Sequence, residues 1–340
     1  MSDDVPEPAA SVVVLNFNGG EAVLRCVESV LSQATAPLEL LIVDNASEDS
    51  SVAAITSRFT GIRVLRMGRN LGYSGGMNRG IEATRGEFVF LLNCDVELNA
   101  GYVSACLHRL SEDPTLGGVS GKMLKPPRNG PPVIDGAGYV VYRNGRAVDR
   151  GEGETDQGQY DEASEVFGLT GTAPCYRRSM LDDVRLGTDY FDEDFFAYFE
   201  DLDLSWRARL KGWRFMYEPL ATAFHQRGAS GGSRLTRIMA ANHRNRLFVL
   251  VKNDHPRGFL RRSPGIAYTE GRSALHLLIT RPAALIRAWW GFLALLPRMI
   301  RKRRRIQSGR TMAWRELEKW FEAYPYRGVI RRARQRATFW

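Results

Sequence analysis

Two stretches of this 340-residue chain concentrate side chains that can do chemistry. The first is Arg85 to Glu97, RGEFVFLLNCDVE. Phe88-Val89-Phe90-Leu91-Leu92 is an unbroken apolar run that suits a strand buried on both faces. It ends in Asn93-Cys94-Asp95, with Glu97 two residues on. A carboxylate at the carboxyl end of a buried parallel strand lies where α/β proteins bind ligands. There Asp95 can bind a divalent cation, which in turn can hold a diphosphate. An Asx-type turn, with Asn93 and Asp95 capping backbone groups, fits the same residues. The second stretch, Asp189 to Arg209, sets carboxylates among aromatics. Within it Glu200-Asp201-Leu202-Asp203 opens an amphipathic helix through Leu210, closed by Gly212 as the residue past the cap. Carboxylates in a first turn complement the helix dipole, and Asp203 with Arg207 has the i,i+4 spacing of an ion pair.

The elements around these stretches alternate. Ser11 to Asn18 predicts a buried strand, broken by Gly19-Gly20, and Glu21 to Gln33 has helical apolar spacing. Leu38 to Val43 is a second strand, ending in Asp44-Asn45-Ala46-Ser47. A helix over 50–59 and a third strand over 62–66 follow. Asn70 to Gly80 predicts a glycine-rich loop leading into a helix through Thr84. Strand–helix alternation of this kind points to a mostly parallel α/β sheet with helices on its faces. The loop is neither a Walker A sequence nor a dinucleotide fingerprint. Gly72, Gly75 and Gly76 either let backbone N–H groups approach a phosphate at a helix N-terminus or supply positive φ in a tight turn. Further on, the pattern predicts a helix over 101–110 and irregular structure or small hairpins over 114–160. Strands are predicted over 167–176 and 213–217, with His225 after a further short strand.

Composition, 44% hydrophobic and 25% charged, is that of a soluble globular protein. The net charge of +9 hides an asymmetry: residues 1–233 carry 22 basic and 33 acidic side chains, residues 234–340 carry 25 and 5. An acidic body with a basic tail points to a polyanionic surface. Leu275 to Ile300 is apolar with Trp289 and Trp290, interrupted by Arg281 and Arg287. It runs into Arg298 and Arg301-Lys302-Arg303-Arg304-Arg305, a pattern suited to an interfacial helix in anionic headgroups. No nucleic-acid motif accompanies the basic residues, so nucleic acid is not an expected partner. No uncharged apolar run approaches the roughly 18–20 residues of a membrane span, and MSDDVPEPAA has no signal-peptide pattern. The four cysteines show neither disulfide nor zinc spacing, which fits a reducing cytosol.

Four segments fall in one order: VVVLNFNG (12–19), LIVDNAS (41–47), NLGYSGGMNRG (70–80) and LLNCDVE (91–97). With Glu200-Asp201-Leu202-Asp203 and Trp206-Arg207, the chain resembles the family 2 inverting nucleotide-sugar glycosyltransferases of GT-A fold. Within them it is similar to the bacterial rhamnosyltransferase-like branch that builds cell-surface polysaccharides. The resemblance covers about residues 10–230. It implies that Asn16 and Asp44 hold a uracil or thymine base, a carboxylate being apt to accept the base N3–H. It implies that Asn70, Gly75 and Asn78 line the nucleotide sugar. Asp95 matches the last aspartate of the family's DxD motif and would bind Mg²⁺ or Mn²⁺. The first position of that motif is Asn93, which lacks the charge and is expected at ribose or base. His225 is a further candidate metal ligand. Asp201 matches the family's catalytic base, which takes the acceptor hydroxyl proton as that oxygen attacks the anomeric carbon; Glu200 and Asp203 compete for the role.

The resulting expectation has three parts: a disordered N-terminus over 1–10, a GT-A catalytic domain over 11–233 and a basic amphipathic helical extension over 234–340. The enzyme would work at the cytoplasmic face of the cell membrane as a peripheral protein. Its donor would be a dTDP- or UDP-linked sugar, with dTDP-rhamnose first. Its acceptor would be a saccharide, polyprenyl-diphosphate-linked. Galactosyl, galactofuranosyl and N-acetylhexosaminyl transfer from UDP-sugars are alternatives. From other classes, a nucleotidyltransferase and a non-catalytic membrane-associated scaffold are rivals. The first would need basic residues in a glycine-rich loop after the first strand, where this chain has Asn16-Phe17-Asn18-Gly19-Gly20.

Overall fold

The computed structural model describes residues 9–33, 38–127, 130–227 and 235–325. Most of the expected N-terminal tail, the boundary expected at 233/234 and the basic residues beyond 325 lie outside these. The first half alternates as expected: β1 (Ala10–Asn16), α1 (Gly20–Leu31), β2 (Leu38–Asp44), α2 (Ser51–Arg58), β3 (Arg63–Arg66), α3 (Gly72–Glu82), β4 (Phe88–Asn93) and β5 (Val96–Leu98). Then come α4 (Tyr102–Glu112), β6 (Leu116–Leu124), β7 (Ile134–Gly136), β8 (Tyr139–Tyr142), β9 (Ala147–Asp149), β10 (Ser164–Val166), β11 (Cys175–Arg177), α5 (Arg178–Asp183), α6 (Glu200–Leu210) and β12 (Arg214–His225). The C-terminal part is α7 (Leu235–Asn253), α8 (Pro256–Thr280), α9 (Pro282–Ser308), α10 (Trp314–Glu318) and β13 (Phe321–Glu322).

One large sheet runs β10-β12-β6-β11-β4-β1-β2-β3. β3, β2, β1 and β4 are parallel neighbours, and β12 is parallel to β6; β11 and β10 run against them. The central strands β1 and β4 are buried on both faces, as their unbroken apolar runs require. One core lies between the sheet and α1 and α4; another lies between the sheet's opposite face and α3, α5 and α6.

Four sequence expectations change. The glycine-rich stretch is helix from Gly72 on, because its glycines serve close packing. A Cβ on Gly76 would stand 2.4 Å from the Leu15 side chain, and one on Gly80 would stand 2.3 Å from Val13. Residues 114–160 contain β6, a nine-residue strand buried throughout; its three glycines and its lysine mask the apolar signal. The strand expected over 167–176 is confined to β11, with β10 before it and a loop between. The single helix expected over 275–300 is two, divided at Arg281-Pro282, where proline can start a helix but not continue one.

The C-terminal helices share a third core with the body. Phe195, Leu202 and Trp206 pack with Phe248, Met299, Ile306 and Phe321. By length and composition alone α9 could cross a membrane, a property the count of uncharged runs set aside. Its C-terminal half is nonetheless tied to the body, for Arg298 and Lys302 pair with Asp194 and Lys302 also with Asp192.

Candidate active site

The carboxyl ends of β1, β2 and β4 lie together at one edge of the sheet. Asn16 and Asp44 are register partners on adjacent parallel strands. Asn16 is fully buried, and its amide donates to Asp44 Oδ1 (3.3 Å), Ser47 Oγ (3.1 Å) and Ser51 Oγ (2.9 Å) while accepting from the Gly19 N–H. With donors and acceptor engaged inside the protein, Asn16 shapes this edge and presents Asp44. Asn45, which sequence reasoning passed over, donates to Asn70 Oδ1 (3.1 Å) and the Gly72 carbonyl (3.0 Å) and accepts from the Leu71 N–H. Asn70 in turn accepts from the Gly72 N–H, so the two asparagines fix the entry to α3. Two residues expected at the nucleotide sugar have internal contacts. Asn78 is buried and bonds the main chain of Phe191 through both ends of its amide. Gly75 lies within α3, where a Cβ would meet Leu71 at 2.7 Å.

Asn93 ends β4 with a half-exposed side chain, beside Thr172, whose carbonyl accepts the Asn93 N–H. Asp95 follows in the turn and meets His225, the last residue of β12: Nε2 lies 3.4 Å from Asp95 Oδ1. The other ring nitrogen, Nδ1, is 2.8 Å from Asp135 Oδ2 on β7, and Asp135 pairs with Arg227 at 2.7 Å. Burial opposes a charged His225 ring, but hydrogen bonds to Asp135 and Asp95 outweigh it and raise its pKa to about 9.

A carboxylate on one imidazole nitrogen, with the other facing a second carboxylate, is the support that metal-bound histidines usually have. Among the described residues no group of three or more such donors gathers, so Asp95 and His225 form a two-donor set. That set fits Mg²⁺ or Mn²⁺, ions that take much of their coordination from water and substrate phosphates.

The second half of the site is the start of α6. Asp201 Oδ2 accepts from the Tyr139 hydroxyl (2.9 Å) and the Gly171 N–H (2.7 Å); Oδ1 accepts from the Leu202 N–H (2.8 Å). Burial raises the Asp201 pKa, while these donors pull it back. Glu200 is also buried and is raised well above the carboxylate range by burial and by Asp201. Its Oε2 has no hydrogen-bond partner among the described residues. Of the two adjacent carboxyls, Asp201 has three donors to steady a negative charge, while Glu200 has burial and its neighbour's charge against ionisation and an unpaired Oε2; Asp201 is therefore the base-competent group.

Asp203, the third candidate, has other partners. It is fully buried and paired with Arg207 (2.9 Å), Lys252 (2.8 Å) and Asn253 (2.8 Å). Burial works against its charge, but Lys252 and Arg207 hold it below the ordinary range.

The two halves are joined. The 171–172 loop touches Asp201 through Gly171 and β4 through Thr172. Tyr139 is the register partner of Asp149, and Asp149 accepts from Arg227, which pairs with Asp135 behind His225. Sequence reasoning missed Asp135, Tyr139, Asp149 and Arg227. They lie in the glycine- and charge-rich stretch, or just past β12, where no local pattern marks them.

A buried parallel block with Asp95 and His225 at its strand ends and Asp201 at the start of α6 has the layout of a glycosyltransferase of GT-A fold. The model of glycosyl transferase family 2 matches residues 11–185, and the chain belongs to that family. It is 29% identical over 273 residues to the N-acetylglucosaminyl-diphospho-decaprenol L-rhamnosyltransferase of Mycobacterium tuberculosis, covering 74% of this chain and 85% of the relative. Among solved structures, the mannosyltransferase PcManGT from Pyrobaculum calidifontis, in complex with GDP-Man and Mn²⁺, aligns with TM-score 0.52 and 16% identity over 90% of this chain and 86% of its own. TarS 1–349 of S. aureus, in complex with UDP-GlcNAc, aligns with TM-score 0.52 and 17% identity over 88% and 83%. At such identities these two structures speak to the fold alone.

Proposed function

We propose that the protein is an inverting, metal-dependent glycosyltransferase that adds a sugar to a lipid-linked saccharide in cell-surface polysaccharide synthesis. The observation that carries the reading is Asp201, buried at the start of α6 and held by three hydrogen-bond donors, together with Asp95 and His225 meeting at the strand ends. In this account Asp44 accepts the N3–H of a uracil or thymine, and the Asn45–Asn70 turn lines the nucleotide. Asp95 and His225 hold the divalent cation, which when bound neutralises charge on the departing diphosphate. Asp201 accepts the proton of the acceptor hydroxyl as its oxygen attacks the anomeric carbon. The bond from that carbon to the diphosphate breaks on the opposite face, and its electron pair leaves with the nucleoside diphosphate.

The rhamnosyltransferase relative supports rhamnose as the first sugar and a polyprenyl-diphosphate-linked N-acetylglucosamine as acceptor; dTDP as the carrier rests on the family resemblance. A UDP-sugar donor is the second reading. The surface of α8 and α9 supports work at a membrane. Leu275, Leu278, Ile279, Ile286, Trp290 and Leu293 stand exposed there, with Ile279 74% and Trp290 77% accessible. Arginines and a lysine flank them, the composition of a helix seated in anionic headgroups. The reading places the protein peripherally on the cytoplasmic face.

A thermal-shift screen of nucleotide sugars with Mg²⁺ or Mn²⁺ tests the reading. A rise in Tm with dTDP-rhamnose above that with UDP-sugars is expected. Stabilisation by a UDP-sugar alone would replace the donor, and no stabilisation by any would contradict the reading.

A further inference from the structure

The segment that delivers the catalytic carboxylates is strained. Phe196, Tyr198 and Phe199 have φ of 66°, 73° and 70°, three non-glycine residues in the left-handed region just before Glu200. Bulky residues hold such angles only where surroundings over-determine them, and such outliers gather at functional sites. Two of the rings also face outward, Phe196 at 48% and Tyr198 at 42% accessible. Phe195 and Trp206 are buried in the third core. Strain and exposure together are poor for stability and need another reason.

What over-determines the segment is on α7. Asn245 is fully buried, and its side-chain amide donates to the carbonyls of Phe195 (3.0 Å), Ala197 (2.9 Å) and Tyr198 (2.8 Å). Its two hydrogens are shared among these three acceptors along the positive-φ segment. Arg244 adds bonds to the carbonyls of Asp194 and Phe195, and its Nε holds the Asn245 side-chain oxygen at 2.9 Å. The remaining carbonyls are also used. Phe196 accepts from the Ser74 N–H in the first turn of α3, and Phe199 accepts from Asp203 within α6. The segment is thus braced between the helix at the donor edge and a helix of the C-terminal part.

We propose that Asn245 is a positioning residue for transfer: it holds residues 196–199 in their left-handed path, which sets Phe196 and Tyr198 as the wall beside Asp201 against which the acceptor sugar lies. The inference rests on the transferase reading for its role and on the hydrogen bonds alone for the clamp. Apolar faces of a sugar ring pack on aromatic rings, and a wall next to the base orients the attacking hydroxyl. The C-terminal helices then contribute to the chemistry, since α7 packs along α9 while its Asn245 grips the active-site segment.

The test uses the full chain and two kinds of variant. Asn245→Leu keeps the volume and removes both donors. Amide hydrogen exchange is expected to rise at least about tenfold within 196–202 while the central strands keep their protection. UDP and dTDP binding stays within about twofold, and transfer to a short-chain lipid diphosphate N-acetylglucosamine falls more than about tenfold in kcat/KM. Exchange unchanged in that segment, or lost evenly over the whole chain, overturns the clamp. Phe196→Ala and Tyr198→Ala remove exposed rings and spare the fold. A raised acceptor KM with unchanged nucleotide binding supports the wall; unchanged acceptor kinetics in both overturns it. If the unsubstituted chain transferred no sugar, the transferase reading would fall while hydrogen exchange still decided the clamp.

Discussion

Tyr139 donates its phenolic hydrogen to Oδ2 of Asp201 across 2.9 Å, from a short hairpin that carries no other part of the sheet's central block. The bond favours the charged carboxylate, which burial disfavours. Because the folded Asp201 pKa is raised, the base is lost on the acid side at a pH above the ordinary aspartate range. Tyr139→Phe removes one stabiliser of the charge, so the acid limb of the kcat/KM profile should move to higher pH. Activity near neutrality should fall about tenfold, the worth of one hydrogen bond to a charged group. A pH–rate profile of both proteins checks this; an unmoved limb would remove Tyr139 from the site.

Asp135 supports His225 rather than any substrate, with Oδ2 2.8 Å from Nδ1. Asp135→Asn should leave the fold intact and weaken Mn²⁺ binding about 10- to 100-fold, the usual cost of removing a supporting carboxylate. Titration of Mn²⁺ in the presence of UDP or dTDP, followed by calorimetry, measures it. Asp95→Ala should abolish the metal-dependent part of nucleotide binding altogether.

The buried cluster of Asp192, Asp203 and Lys252 has a stability signature. Lys252 Nζ lies 2.6 Å from Asp192 and 2.8 Å from Asp203, all three fully buried. Lys252→Met removes the cation the two carboxylates share, leaving Asp192 only Lys302 and Asp203 only Arg207 as charged partners among the described residues, and should cost about 3–5 kcal/mol in urea unfolding. Both aspartates are held below their ordinary range, against burial, by the cations around them. Their contribution is therefore present above the unfolded aspartate pKa of about 3.9 and is lost as pH falls below it. Lys252→Met should accordingly flatten the acid side of the stability curve.

Trp290 and Ile279 stand on the exposed apolar surface of the α8–α9 pair. The double substitution Ile279→Glu, Trp290→Glu should lower binding to phosphatidylglycerol vesicles at least about tenfold while leaving nucleotide binding unchanged. Co-sedimentation with vesicles distinguishes this from a solvated basic surface, for which both proteins would bind alike.

The strand-end residues were legible because parallel strands buried on both faces write unbroken apolar runs. β1, β2 and β4 could be placed from Val12–Leu15, Leu41–Val43 and Phe88–Leu92 alone, which put Asp44, Asn93 and Asp95 at one edge. Asn16 and Asn78 were legible as polar residues near the site, but not as residues turned inward, since the sequence does not say where an amide points. Asp203 matched a catalytic spacing yet meets Lys252, 49 positions along the chain and on a helix that local pattern had set apart as an extension. Tyr139 and Asp135 reach the site from short strands, and Arg227 from just past β12, through side-chain contacts that leave no periodic trace. Asn245 is likewise invisible locally: its partners are backbone carbonyls nearly 50 residues upstream.

The central claim is that Asp201 is the base of a metal-assisted sugar transfer. The most direct measurement is release of nucleoside diphosphate from dTDP-rhamnose and UDP-sugars, with Mn²⁺ and a lipid diphosphate N-acetylglucosamine, by the unsubstituted protein and by Asp201→Asn. The account predicts release with one donor, a fall of about 10²- to 10⁴-fold in Asp201→Asn, and donor affinity preserved. Equal release by the two proteins would contradict it.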